Sequence, residues 1–198
     1  MSEVIFILGG TRSGKSRYAV RRARELRGDA VTFVATARAG DPELDLRIVL
    51  HRASRPAVWP VLEAGADLAA AVRSVPADRV LLLDSLTLWV STLTEPAQGI
   101  AWEPTVAEPA EGIASASTLA ERAEGIAARW DALDAVIRAR TAATVIVSDE
   151  IGLGMVPLDA EARRFRDELG WLHQRVAERA DEVWLMVAGL PLRVKGAP

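Results

Sequence analysis

Two hydrophobic periods alternate along this chain. Short apolar runs at residues 3–8, 31–35, 79–83, 143–148 and 182–188 read as strands covered on both faces. Between them lie stretches with helical spacing. Residues 17–26 are helix-compatible. From Thr118, an N-cap with Glu121 three residues on, the positions Leu119, Ala123, Ile126, Trp130, Leu133 and Ile137 step by four and three. Phe165, Leu169, Leu172, Val176 and Ala180 repeat that stripe, and both stripes face a core. Strands alternating with helices predict an α/β domain with a mostly parallel central sheet flanked by helices.

Residues of about 94–117 break the pattern. Glu95-Pro96-Ala97-Gln98-Gly99-Ile100-Ala101 is echoed by Glu108-Pro109-Ala110-Glu111-Gly112-Ile113-Ala114, and again by residues 121–127 inside the helical stripe that starts at Thr118. The period of 13 residues is too short, and its copies too few, for a solenoid. The first two copies read as a low-complexity surface insertion in one domain spanning residues 1–198.

The first strand runs into Gly9-Gly10-Thr11-Arg12-Ser13-Gly14-Lys15-Ser16, which fits G-x-x-x-x-G-K-[ST] between a strand and a helix. In that context glycines allow a tight turn whose N–H groups converge on a phosphate at a helix N-terminus. Lys15 is expected to reach the β- and γ-phosphates and the Ser16 hydroxyl to bind Mg²⁺. A carboxylate is also needed near the metal. Asp84, after Val80-Leu81-Leu82-Leu83, is the first choice, and Asp149-Glu150, after Val145-Ile146-Val147-Ser148, the second. Either acid would serve equally well as a cap for the following helix.

Bulk properties narrow the class. At 198 residues there is room for one substantial α/β core. A net charge of −3 gives no support for a nucleic-acid or anionic-membrane binder. The absence of cysteine removes disulfides, thiol nucleophiles and thiolate metal sites. No apolar run approaches a bilayer span and no secretion signal opens the chain, so a cytoplasmic location is expected.

There are two histidines. His173 lies beside Leu172 on an amphipathic stripe and reads as structural. Arg47, His51 and Arg55 share one face if their stretch is helical. Composition alone makes that a solvated basic face. The alternative is an imidazole among phosphate-binding cations, kept neutral by their charge and able to attack phosphorus.

The chain resembles the bifunctional adenosylcobinamide kinase/adenosylcobinamide-phosphate guanylyltransferase family. Beyond the phosphate loop, the resemblance rests on Ala35-Thr36-Ala37 and on Arg47-Ile48, His51-Arg52, Arg55-Pro56, Trp59 and Glu63. It continues through residues 82–90, through Glu150-Ile151-Gly152-Leu153-Gly154-Met155-Val156-Pro157, and through Arg164-Phe165-Arg166-Asp167, Gln174-Arg175 and residues 181–189. It implies a RecA-like P-loop NTPase fold, with GTP and ATP as substrates beside adenosylcobinamide and its phosphate, and a homotrimer. His51 becomes the guanylylated residue. Gly9 to Ser16, Ala35, Thr36, Ala37, Arg52, Ala53, Ser54, Arg55, Glu63 and Asp84 would line the nucleotide site, with Ser16 and Asp84 on Mg²⁺. Asp149 stands where that family usually has Asn, Ser85 where Cys is frequent, and His173 where Asn is common. The competing expectations are a small-molecule kinase without a covalent intermediate and a RecA-type nucleotide-switched ATPase.

Overall fold

The computed structural model describes residues 2–36, 56–94 and 116–197, with the helix at 116–123 described as backbone only. Its elements in chain order are β1 (Val4–Gly9), α1 (Lys15–Arg27), β2 (Val31–Ala35), β3 (Val61–Glu63), α2 (Leu68–Arg73), β4 (Val80–Asp84), α3 (Leu86–Thr94), α4 (Ala116–Arg138), β5 (Thr144–Asp149), α5 (Ala160–Arg179), β6 (Glu182–Val187) and β7 (Leu190–Lys195). They build one seven-stranded sheet in the order β3-β2-β4-β5-β1-β6-β7. Every neighbouring pair is parallel except β6 with β7.

Near-continuous apolar runs are explained by what covers each face. On one face Val4, Phe6, Leu81, Leu83, Ile146 and Val183 pack against α2, α3, α4 and α5, where Trp89 and Trp130 are buried. On the other, Ile5, Ile7, Phe33, Leu82, Val145 and Val147 meet Tyr18, Ala19 and Ala23 of α1 and the ring of Trp59. Side chains alternate across a strand, so burial on both sides demands an apolar residue at every position.

The five sequence-predicted strands are present within a residue or so at each end. The last ends at Val187, because Ala188 and Gly189 take positive φ values of 51° and 83° and turn the chain into β7. The helix carrying the stripe from Thr118 begins at Ala116 and α3 runs to Thr94, so both ends of the expected 94–117 insertion are helical. Its middle, residues 95–115, lies outside the described residues.

Two caps fix helix starts near the sheet's carboxyl edge. Asp67 accepts a hydrogen bond from the Ala70 N–H at 2.9 Å, and Asp159 one from Ala162 at 2.7 Å. Each satisfies a backbone donor that has no partner inside its own helix. Among the described residues no helix is long and apolar enough to cross a membrane.

Candidate active site

The parallel register brings the strand ends together. Gly9 lies opposite Asp149 on β5, and Ala35 lies between Glu63 on β3 and Asp84 on β4. All five sit on the carboxyl edge of the sheet, where open α/β folds bind ligands. The sequence-predicted residues Gly9 to Ser16, Ala35, Thr36, Glu63 and Asp84 therefore share one edge. Ala37, His51, Arg52, Ala53, Ser54 and Arg55 lie outside the described residues.

The glycine-rich loop has steric reasons for its sequence. A Cβ on Gly9 would come within 2.9 Å of the Met186 Cβ, closer than side chains tolerate. Gly14 caps α1 at φ 92°, in left-handed territory. Inside the turn the Ser13 N–H donates to the Gly10 carbonyl at 3.1 Å, and Tyr18 N–H to the Gly14 carbonyl at 2.9 Å. The β6–β7 turn braces the loop from behind, its Gly189 N–H donating to the Ser13 carbonyl at 2.9 Å. The Ser13 hydroxyl is buried against Gly9 and has no hydrogen-bond partner among the described residues.

Lys15 opens α1. Its ammonium donates to the Gly10 carbonyl at 3.3 Å and forms an ion pair with the Asp149 carboxylate. The sequence offers Asp149 both as a second metal-ligand candidate and as a departure from the family's usual Asn, and the structure gives it Lys15 as a partner. Glu150, its neighbour, is committed to the following turn: one carboxylate oxygen accepts from Gly152 N–H at 2.6 Å and Leu153 N–H at 3.1 Å. Thr36 is likewise committed. Its buried hydroxyl donates to the Ser85 carbonyl at 2.6 Å and accepts from the Ser85 N–H at 3.0 Å, tying the end of β2 to the end of β4.

Ser16 and Asp84 supply a hydroxyl and a carboxylate, the hard oxygen donors Mg²⁺ prefers, and such a site is completed by substrate phosphates and water. The donor set fits the ion. No preformed cluster of three or more metal-ligating acids or histidines exists among the described residues.

Sequence reasoning did not anticipate the polar chain beneath this edge. The Asp149 N–H donates to the Thr87 hydroxyl at 2.7 Å, which lies 3.0 Å from the Ser148 hydroxyl, which lies 2.8 Å from His173 Nε2. The other ring nitrogen faces Glu150 Oε2 at 4.0 Å. Two proton arrangements of a neutral imidazole satisfy every link: Ser148 donating to Nε2 with Thr87 donating to Ser148, or Nε2–H donating to Ser148 with Ser148 donating to Thr87. His173 is thus structural, as its place on the stripe suggests, but its ring lies in the site's floor rather than in plain core. The hydroxyls carried no local signal, because their partners come from three separate elements.

Burial pushes the His173 pKa down from 6.5 to about 4, against the opposing pull of the Glu150 and Asp149 carboxylates. As pH falls, the unfolded chain therefore takes up this proton before the folded one. Stability from the neutral ring is complete above 6.5 and is lost as pH falls through 4. A depression of this size corresponds to about 3 kcal/mol. In urea titrations, wild type is expected to lose stability relative to His173→Asn as pH drops across that window. A constant difference between the two would show that the ring titrates normally.

A strand, a glycine-rich turn and a helix carrying Lys15 and Ser16, with acids on neighbouring strand ends, define a P-loop nucleoside-triphosphate-binding domain. The family model described as cobinamide kinase / cobinamide phosphate guanyltransferase matches residues 5–194. A bifunctional adenosylcobalamin biosynthesis protein, CobP, of Pseudomonas aeruginosa is 43% identical over 193 residues, covering 97% of each chain. The CobU protein of Salmonella typhimurium, of the same description, is 34% identical over 208 residues, covering 97% of this chain and 99% of its own. That of Escherichia coli is 34% identical over 195 residues with the same coverage. The chain belongs to this family, and it is a bifunctional cobinamide kinase and cobinamide-phosphate guanylyltransferase of cobalamin biosynthesis.

Proposed function

We propose that both reactions use the one phosphate loop, and that the second proceeds through a histidine-linked GMP. In the first, the γ-phosphoryl of GTP or ATP passes to the hydroxyl of the aminopropanol arm of adenosylcobinamide. The loop N–H groups and Lys15 hold the β- and γ-phosphates and stabilise charge on the transferring group. In the second, the lone pair of the His51 imidazole attacks the α-phosphorus of GTP. A P–N bond forms and the bond to the bridging oxygen breaks, releasing pyrophosphate. An oxygen of cobinamide phosphate then attacks that phosphorus, the P–N bond breaks, and the GDP-linked product leaves with His51 restored. Two easier displacements replace one difficult one.

Ala35, Ala37, Arg52, Ala53, Ser54, Arg55 and Glu63 complete the nucleotide site in this reading, while Thr36 acts through Ser85. Ser16 and Asp84 would hold Mg²⁺, which when bound neutralises phosphate charge. The enzyme works in the cytoplasm, as a homotrimer, on small-molecule substrates rather than nucleic acid. The carrying observation is the shared carboxyl edge of the phosphate loop, Glu63 and Asp84, in a chain matched by the family over nearly its whole length.

Incubation with α-labelled GTP tests the covalent step. Label is expected on the denatured protein; its absence would leave guanylyl transfer without a covalent intermediate and overturn this mechanism. Asp84→Asn keeps the shape of the side chain while removing its charge. Activity is expected to fall and the Mg²⁺ concentration for half-maximal rate to rise several-fold. If Asp149→Asn or Glu150→Gln gives that phenotype while Asp84→Asn is silent, the metal assignment fails.

A further inference from the structure

Lys15 has two claimants. The triphosphate it must hold is anionic, and so is the Asp149 carboxylate that already pairs with it. We propose that Asp149 is an intramolecular counter-ion for Lys15, displaced when a polyphosphate enters the loop and returning to help expel pyrophosphate or nucleoside diphosphate afterwards. The inference rests on the phosphate-loop reading given above and names a device within that site.

Three observations carry it. The two side chains are largely sheltered, 12% exposed for Lys15 and 27% for Asp149, so the pair is less screened than one on open surface. The Asp149 backbone is fixed on both sides, by its register opposite Gly9 and by its N–H bond to Thr87 at 2.7 Å. Thr87 is held in turn by Ser148, and Ser148 by His173 on α5. Entry of a phosphate therefore meets a carboxylate that yields by side-chain rotation alone, from a strand end that stays in place. Glu150, the adjacent acid, is tied to Gly152 and Leu153 and is not an alternative partner for the ammonium.

The family usually carries Asn at this position, so the device belongs to this chain and is not demanded by the pair of reactions. Bound polyphosphate and the Asp149 carboxylate repel each other, and the carboxylate regains its cation only when the loop empties. Occupancy is thus lowered for every ligand that competes for Lys15, products included.

Calorimetric titration in Mg²⁺ tests this, with a GTP analogue carrying a methylene between its α and β phosphates so that guanylyl transfer is blocked, and with pyrophosphate. Asp149→Asn is expected to bind both about three- to tenfold more tightly than wild type, the range set by a partly sheltered ion pair. Asp149→Ala should gain similarly, since the gain comes from losing the charge and not from a new amide contact. On a Lys15→Ala background the same substitutions should gain much less, because only simple repulsion remains to be relieved. Unchanged or weaker binding by both Asp149 variants would overturn the proposal. So would an equal gain with and without Lys15, or a gain confined to the asparagine. Failure of the wild-type protein to bind either ligand would overturn the phosphate-loop reading itself, and the counter-ion with it.

Discussion

Lys15→Ala is expected to lower both activities by roughly a hundredfold or more, the usual cost of removing a group that stabilises transition-state charge. The loss is shared because the same ammonium is asked to serve two leaving groups. In the proposed kinase step it would neutralise charge spreading over the γ-phosphoryl and the departing diphosphate. In the proposed guanylyl transfer it would sit against the pyrophosphate that leaves the α-phosphorus. Folding should be little affected. Lys15 is at the first position of α1, and its polar contacts are the Gly10 carbonyl and the Asp149 carboxylate. Its loss leaves Asp149 unpaired at 27% exposure, where water can solvate it. Turnover measured at saturating GTP separates catalysis from affinity. Near-normal rates in either reaction would mean that reaction does not use this loop.

How much of this was legible before the structure depends on whether a feature is local. The phosphate loop was, because strand, turn and helix are consecutive and its glycines answer to geometry within a few residues. The five buried strands were, because burial on both faces writes itself as an apolar run. β3 was not: Val61-Leu62-Glu63 is too short for a period, and it exists because Pro60 and Val61 to Glu63 pair with β2. α3 reads poorly as a helix, since Leu86–Thr94 is rich in β-branched and hydroxyl residues. Burial of Leu86, Trp89 and Val90 overrides that propensity, and Ser91, Thr92 and Thr94 turn their hydroxyls back onto carbonyls three residues earlier. The pairing of Lys15 with Asp149 was out of reach for a different reason. It follows from β5 lying beside β1, a choice of strand order that no local pattern encodes. The same holds for Thr87, Ser148 and His173, each unremarkable until α3, β5 and α5 meet.

His51→Ala is expected to abolish covalent attachment of GMP, and with it guanylyl transfer, while phosphorylation of adenosylcobinamide should survive at least in part. The separation follows from which phosphorus each reaction attacks. In the proposed mechanism γ-phosphoryl transfer relies on Lys15 and the loop N–H groups, and no imidazole is required for it. Attack on the α-phosphorus needs a nucleophile with a free lone pair, which alanine lacks. The wild-type adduct should behave as a phosphoramidate, labile in acid and comparatively stable in alkali. Its formation should also fall as the pH drops below the pKa of His51, because imidazolium has no lone pair to offer. His173 cannot substitute for it: its ring is buried, bonded to Ser148 and packed 5.6 Å from Phe6. Any labelling of the protein that outlasts the loss of His51 must therefore come from another class of residue. Undiminished labelling of His51→Ala would sink the histidine mechanism, and label found on Lys15 would make the enzyme a lysine-linked nucleotidyltransferase instead.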